Sequence, residues 1–285
     1  MFSTGKIRSQ IYADMACPGY KKYVGWDRAE GLEGYTVEIG FFFDYLKEKI
    51  PPIKGIYMEH VSIIDAITSR SSKRKFLNKP VPKDIQQKIL DAAAMTPSGA
   101  NMQPWIVYAI SNAQVLKNIG DDIISHIDAG NDVDQFIQYY PINWINPYKK
   151  RRITTGSGLY KHLEVDRKDE EKRKELWHDN YRWFGAQTVF FICTDKSLID
   201  GAQGAFIDCG AYMQSLMLAA QAYGIDSCPQ GSTTEYGRII AKTLDLPENL
   251  ALLYSVVLGY EDASAVQNSY QPQRAPMEEI VTFID

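Results

Sequence analysis

The sequence predicts an α+β fold in which a small sheet is sandwiched between helices. Three observations predict it. Apolar runs of strand length, rich in β-branched and aromatic residues, recur far apart: WIVYAI at 105–110, TVFFICT at 188–194 and ALLYSVVLGY at 251–260. Helical patterns separate them, and AFIDCGAYMQSLMLAAQAYG at 205–224 is apolar nearly all round, as a buried helix is. No Gly-rich dinucleotide fingerprint follows any strand.

Each element has its own local reason. Residues 1–58 form a leader rich in Tyr, Gly and Phe, expected to pack as an arm on the body or on a partner subunit, with FFFDYLKEKI as a short amphipathic helix. The main domain runs over 59–285. Ser62, three residues before Asp65, has the spacing of a capping pair, and Ile64 and Ile67 share one face of a helix ending near Ser69. Pro82 suits a first helical turn; Ile85, Ile89, Ala92 and Ala93 continue that helix until Pro97 stops it. WIVYAI is expected as a buried strand. Residues 130–183 carry eight Tyr and Trp residues between Tyr139 and Trp183, beside a charged stretch, and no strand signal, so they are expected as a helical excursion serving as a lid or subunit contact. Gly224 terminates the long apolar helix, and Ser232 to Thr234 are placed to cap a helix running to about Leu246.

Composition narrows the function. A chain of 285 residues that is 45% hydrophobic can bury a large core. Its net charge of −4 supplies no dominant basic surface, which argues against nucleic acid or an anionic membrane as partner. No segment reaches membrane-spanning length and the N-terminus shows no signal-peptide core, so the cytoplasm is the expected location. Cys17, Cys193, Cys209 and Cys228 form no Cys-x-x-Cys pair; neither a disulfide framework nor a metal site is expected, and Cys193 and Cys209 read as buried core thiols. His60, His126, His162 and His178 show no metal spacing and read as surface or structural residues.

Three clusters and one late cation are the candidates for chemistry. Arg70-Ser71-Ser72-Lys73-Arg74 offers planar donor forks and short hydroxyl donors that suit phosphate oxygens or the electron-rich edge of a heterocycle, though a solvated basic helix end has the same composition. Pro97-Ser98-Gly99-Ala100-Asn101-Met102-Gln103-Pro104-Trp105 lets backbone approach a flat ligand, with Asn101 and Gln103 able to meet an imide-like edge; an ordinary helix-to-strand turn fits it equally. Cys228-Pro229-Gln230-Gly231-Ser232, between a short strand and a helix start, presents backbone N–H groups, as many simple turns do. Arg274 alone is a surface arginine.

Together and in this order, these pieces resemble the nitroreductase family of FMN flavoproteins over roughly residues 58–285. Pro-Ser-Gly-Ala-Asn-x-Gln-Pro-Trp is the most specific part. The resemblance implies a three-layer fold with a small, mostly antiparallel sheet, and an intertwined homodimer with two active sites at its interface. It implies that Arg70, Ser72 and Arg74 hold FMN with Ser71 beside them, the outer arginine at the phosphate and Arg74 near the pyrimidine edge. Pro97, Ser98, Gly99, Asn101 and Gln103 would form the segment that meets the ring, often from the second subunit, with Ala100 towards the substrate. Pro229, Gln230 and Gly231 would face the N5 side, and Arg274 the phosphate.

The activity implied is ping-pong transfer of hydride from NADH or NADPH, through the flavin, to a small electron-poor acceptor such as a nitroaromatic or quinone. No side chain need act as nucleophile or dedicated acid; Arg74 would stabilise negative charge on the reduced ring. A reductive dehalogenase-type flavoenzyme, a non-catalytic flavin-binding redox sensor or partner-binding subunit, and a flavin-free interaction protein are the rival readings. The sequence departs from the family at Pro272, where many members carry a second cation, at Gln230, where several carry Glu, and at Gln187, where proline is frequent.

Overall fold

The computed structural model describes residues 62–284. The chain divides into two units, Met1–Met58 and Glu59–Asp285. The leader and the helix expected over FFFDYLKEKI lie outside the described residues.

Four strands build one antiparallel sheet: β1 (Ile106–Ile110), β2 (Thr188–Asp195), β3 (Asp226–Gln230) and β4 (Leu250–Gly259), in the order β1-β2-β4-β3. The two central strands carry the longest apolar runs, and every residue of β4 is buried. They are covered on both faces. Phe191 and Cys193 of β2 point to one side, into a cluster with Leu116, Ile119 and Trp183, whereas Phe190 and Ile192 point to the other, among Ile89, Cys209 and Leu216. That alternation is the period-2 side-chain pattern of a strand buried on two faces. A register shift between Ile192 and Cys193 gives β4 one extra residue, a bulge at which its alternation changes phase.

The first layer holds α1 (Ile63–Ser69), α2 (Lys83–Ala93) and, later in the chain, the 19-residue helix Gly204–Ala222. The opposite layer holds α3 (Ala113–Asp128). The excursion supplies α4 (Tyr148–His162) and α5 (Glu170–His178), with no strand between residues 130 and 183. Numbered in chain order, Gly204–Ala222 is α6, followed by α7 (Gly237–Thr243) and the single turn α8 (Val266–Ser269). Ser62 caps α1 as its spacing predicts, its hydroxyl accepting from the Asp65 N–H at 3.1 Å, and Gly224 takes the left-handed φ of +68° that ends α6.

Four sequence expectations change. WIVYAI is an edge strand, half exposed, because β1 pairs on one side alone. Ile64 and Ile67 point outward from α1, and Ala66 is the residue that packs inward. Helix α6 buries one face and leaves Ile207 at 73% exposure on the other. Ser232–Tyr236 form a 3-10 turn ahead of a helix that stops at Thr243. The hydroxyls expected to cap it are used elsewhere: Thr233 donates to the Gln230 carbonyl at 2.9 Å and Thr234 to that of Leu253 at 2.5 Å.

Among the described residues no helix is long and apolar enough to cross a membrane, and no cluster of His, Cys, Asp and Glu has the makings of a metal site. Cys193, Cys209 and Cys228 are buried free thiols, and burial pushes them up to about 12, 12 and 11 respectively.

Candidate functional site

The edge of β3 organises the site. Ser72 pairs in parallel with Ser227, and the Lys73 N–H donates to the Ser227 carbonyl at 3.1 Å, so residues 70–74 lie along the free edge of the strand. Cys228, Pro229 and Gln230, expected in a turn after a strand, are in the strand itself; Pro229 is tolerated there because an edge residue can lack its N–H. The first and third sequence clusters are therefore neighbours. The buried Cys228 thiol lies among Arg70, Ser72 and Arg74, whose positive charges and hydroxyl partly offset the effect of burial.

Arg274 joins them. Arg70 is held below the ordinary guanidinium range, first by burial and then by the positive charge of Arg274. Its Nη1 is buried without a hydrogen-bond partner among the described residues. Arg274 is exposed and Arg70 half-buried, so water screens much of their repulsion, but the orphaned donor of Arg70 is open to an anion. A phosphate supplies what is missing: charge for both guanidiniums and acceptors for the open donor. Arg274 also borders a cleft of about 250 Å³ with Lys150, Arg151, Thr154 and Tyr270.

A residue that sequence reasoning missed fixes this geometry. Asn268, buried in the tail, accepts from the N–H groups of Arg74 at 2.7 Å and Lys75 at 3.1 Å, and donates to the carbonyls of Lys75 at 2.7 Å and Asp262 at 2.9 Å. An asparagine in a polar tail carries no local signal of such a role. The tail is held in turn by α4, where His162 Nε2 lies 2.8 Å from Ser269 Oγ, the Tyr270 hydroxyl donates to the Thr155 carbonyl at 3.0 Å, and Arg151 meets Glu279 at 2.6 Å. Asn268→Ala strands two N–H donors; we expect a loss of about 2–3 kcal/mol, read by chemical denaturation. A cost below about 0.5 kcal/mol, the level of an ordinary surface change, would mean that the tail does not hold this segment.

Gln230 brings its backbone to the site and keeps its side chain out of it. Its Nε2 donates to the Asn180 carbonyl at 2.8 Å, and its Oε1 accepts from Ser255 Oγ at 3.2 Å. Gly231 lies under the ring of Tyr139.

The second cluster is elsewhere. Pro97, Gly99, Ala100, Asn101, Met102 and Gln103 are exposed, and Ser98 is half-buried. The Gly99 N–H donates to Asp208 Oδ2 at 3.1 Å, near the start of α6, whereas Ser69, next to Arg70, accepts from Gln221 near its end. Along that helix the separation is about 20 Å at 1.5 Å per residue. One chain does not bring this loop to the arginine cluster. The loop is nonetheless built: Ala100, Asn101 and Gln103 all take left-handed φ values of 48–55°, and the Ser98 hydroxyl accepts from the Gln103 N–H at 2.8 Å. For Ala100 and Gln103 that conformation costs about 1–2 kcal/mol each. Such strain gathers at ligand-facing loops, and here it falls on Ala100 rather than on the glycine before it.

Comparison with known proteins places the chain in a family. The family model described as "Nitroreductase family" matches residues 67–260. The chain is 30% identical over 228 residues to a 4-nitrobenzoate reductase of Nocardioides sp. (strain LMS-CY), covering 79% of this chain and 91% of the relative. Among solved structures it is similar to the FMN and NADPH-dependent nitroreductase NfnB of Sphigopyxis sp. strain HMH, with TM-score 0.75 and 27% identity over 79% of this chain and 99% of the other. The FMN-dependent NfnB of Mycobacterium smegmatis, solved in complex with NADPH, gives TM-score 0.72 and 27% identity over 77% and 96%. Asn268 and Arg274 lie beyond the matched residues.

Proposed function

Because this chain belongs to the nitroreductase family, we propose that it is an FMN-dependent oxidoreductase passing hydride from NADH or NADPH to a flat, electron-poor acceptor, a nitroaromatic foremost. The observation that carries the reading is the pairing of Arg70 and Arg274 beside the free edge of β3, with a buried guanidinium donor left open. A phosphate would meet the open guanidinium donor there. Bound FMN supplies the two-electron chemistry between donor and acceptor.

The chain's own residues position and polarise. Arg70 and Arg274 grip the phosphate, with Ser71 and Ser72 as short donors. Arg74, whose backbone Asn268 fixes, would set a positive charge near the pyrimidine edge of bound FMN and so favour negative charge on the ring. Pro229, Gln230 and Gly231 would border the ring with backbone, since the Gln230 side chain is held by Asn180 and Ser255. Pro97, Ser98, Gly99, Ala100, Asn101 and Gln103 reach the site from a second copy of the chain, so the working unit is a homodimer. Supporting that, Met95 is 83% exposed beside the loop and Ile207 adjoins its Asp208 anchor, leaving apolar surface that a lone chain would give to water.

The test is a visible spectrum followed by anaerobic titration. The purified protein is expected to be yellow or to take up FMN, to lose its flavin absorbance with NADPH or NADH, and to regain it when a nitroarene is added. A colourless preparation that gains no flavin absorbance with FMN overturns the reading. A yellow protein that neither nicotinamide bleaches favours the redox sensor.

A further inference from the structure

The aromatic side chains of residues 139–152 form a ladder beside the β3 edge. It starts at Gly231, where a Cβ would stand 2.6 Å from Cε1 of Tyr139, so the ring packs directly on the glycine. Tyr139 meets Tyr140 edge-on at 4.8 Å, Tyr140 lies 5.8 Å from Trp144, and the Arg152 guanidinium sits 4.9 Å over Trp144 and 6.0 Å over Tyr140. The ladder is fastened to the turn after β3. The Asp134 N–H donates to the Glu235 carbonyl at 2.8 Å, the Arg238 N–H to the Asp134 carbonyl at 3.1 Å, and Arg238 Nε to the Gln135 carbonyl at 3.1 Å.

Two features point to a ligand. Tyr139 and Tyr140 remain 45% and 37% exposed although packed on each other, presenting ring surface to solvent. Arg152 makes no ion pair among the described residues, whereas its neighbour Arg151 is held by Glu279 at 2.6 Å. A guanidinium stacked on a ring face keeps its N–H groups in plane, where a carboxylate can meet them as a fork. Glu235 is the acid that lies near Arg152; burial raises its carboxyl and the Arg152 charge opposes that rise, yet the two form no ion pair.

We propose that Tyr139, Tyr140, Trp144 and Arg152 form the acceptor-recognition surface and select flat aromatic acceptors bearing an anionic group, a carboxylate above all. Tyr139 sets the acceptor ring beside Gly231, and Arg152 takes the anion. The proposal rests on the reading that Gly231 borders the flavin.

The test has two arms on the full-length protein. Calorimetric titration with benzoate and with its neutral isostere benzamide reports the surface whether or not flavin is present. Wild type is expected to prefer benzoate, and Arg152→Gln to lose that preference by about 10-fold, the value of one charge-assisted contact. On the FMN-loaded enzyme, the ratio of kcat/KM for 4-nitrobenzoate over nitrobenzene is expected to fall by the same factor in Arg152→Gln. In Tyr139→Ala, KM for both acceptors rises together, and Tyr139→Phe restores it. Equal binding of benzoate and benzamide by wild type, or a preference that survives Arg152→Gln, overturns the proposal and leaves the flavin reading standing. A colourless protein that still prefers benzoate through Arg152 overturns the flavin reading and leaves the anion site.

Discussion

Arg70→Met weakens FMN binding by about 10–100-fold, leaves riboflavin affinity within about twofold of wild type, and raises the melting temperature of the FMN-free protein. The three effects share one cause. A guanidinium donating to a phosphate contributes about 1.5–3 kcal/mol, and riboflavin lacks the phosphate. Without ligand, Arg70 is a liability: its Nη1 is buried without a partner among the described residues, and Arg274 repels it. Methionine keeps the apolar stem and removes both penalties. We expect a gain of about 1 kcal/mol, the low end of the range because half of the side chain remains screened by water, or roughly 2–4 °C in Tm. The lowered pKa of Arg70 signals a charged form disfavoured in the folded state. A guanidinium stays protonated throughout the accessible pH range, so the gain is present at every working pH. Fluorescence titration with both flavins and scanning calorimetry of the FMN-free protein decide it. Parallel loss of FMN and riboflavin, or a fall in Tm, would place Arg70 outside the phosphate contact.

Gly120→Ala is expected to destabilise the protein by about 2–3 kcal/mol, a fall of roughly 5–10 °C in Tm. Helix propensity alone gives the opposite sign, since alanine inside a helix such as α3 is better than glycine by about 1 kcal/mol. Packing decides the matter. A Cβ at Gly120 would press into the carbonyl oxygen of Tyr181, part of the buried turn 181–184. That turn is clamped to α3 by Trp183 Nε1, which donates to the Leu116 carbonyl at 2.9 Å. Backbone oxygen is a rigid neighbour, so α3 or the turn must move. The turn also carries the chain from Asn180, whose carbonyl anchors Gln230, so the strain is transmitted to the β3 edge. Thermal unfolding of Gly120→Ala is the measurement, and a Tm at or above wild type would contradict the close approach.

Residues such as Gly120 and Asn268 mark the limit of what local pattern conveys. TVFFICT and ALLYSVVLGY announce β2 and β4 because their composition suits a surface buried on both faces. The 205–224 run announces α6 because few sequences of that length are so apolar. Arg70, Ser72 and Arg74 have the donor types that phosphate chemistry uses, but Arg274 by itself reads as a surface arginine, and only the order of the clusters along the chain singles the four out. The strand and helix signals belong to the segments that carry them and are readable without knowledge of their neighbours.

Which segments meet is another matter. Ser72 lies against Ser227 because β3 is an edge strand with unpaired backbone groups, a fact that depends on the order of all four strands. The same order exposes WIVYAI at the other edge. Gln230 is spent on Asn180 and Ser255, which its own sequence neighbourhood does not reveal. The separation of the Ser98–Gln103 loop from the arginine cluster follows from the length of α6, with one cluster docked at each end. By itself, then, the sequence determined the fold class, the two central strands, the existence of the long apolar helix and the residue types of the candidate site. The tertiary structure alone decided that Asn268 sets the arginine segment, that Tyr139 covers Gly231, and that the Ser98–Gln103 loop stands apart from the arginines within one chain. The physical reason is range: periodicity and propensity act over a few residues, whereas edge pairing, buried hydrogen bonds and close backbone approach join residues up to nearly 200 positions apart.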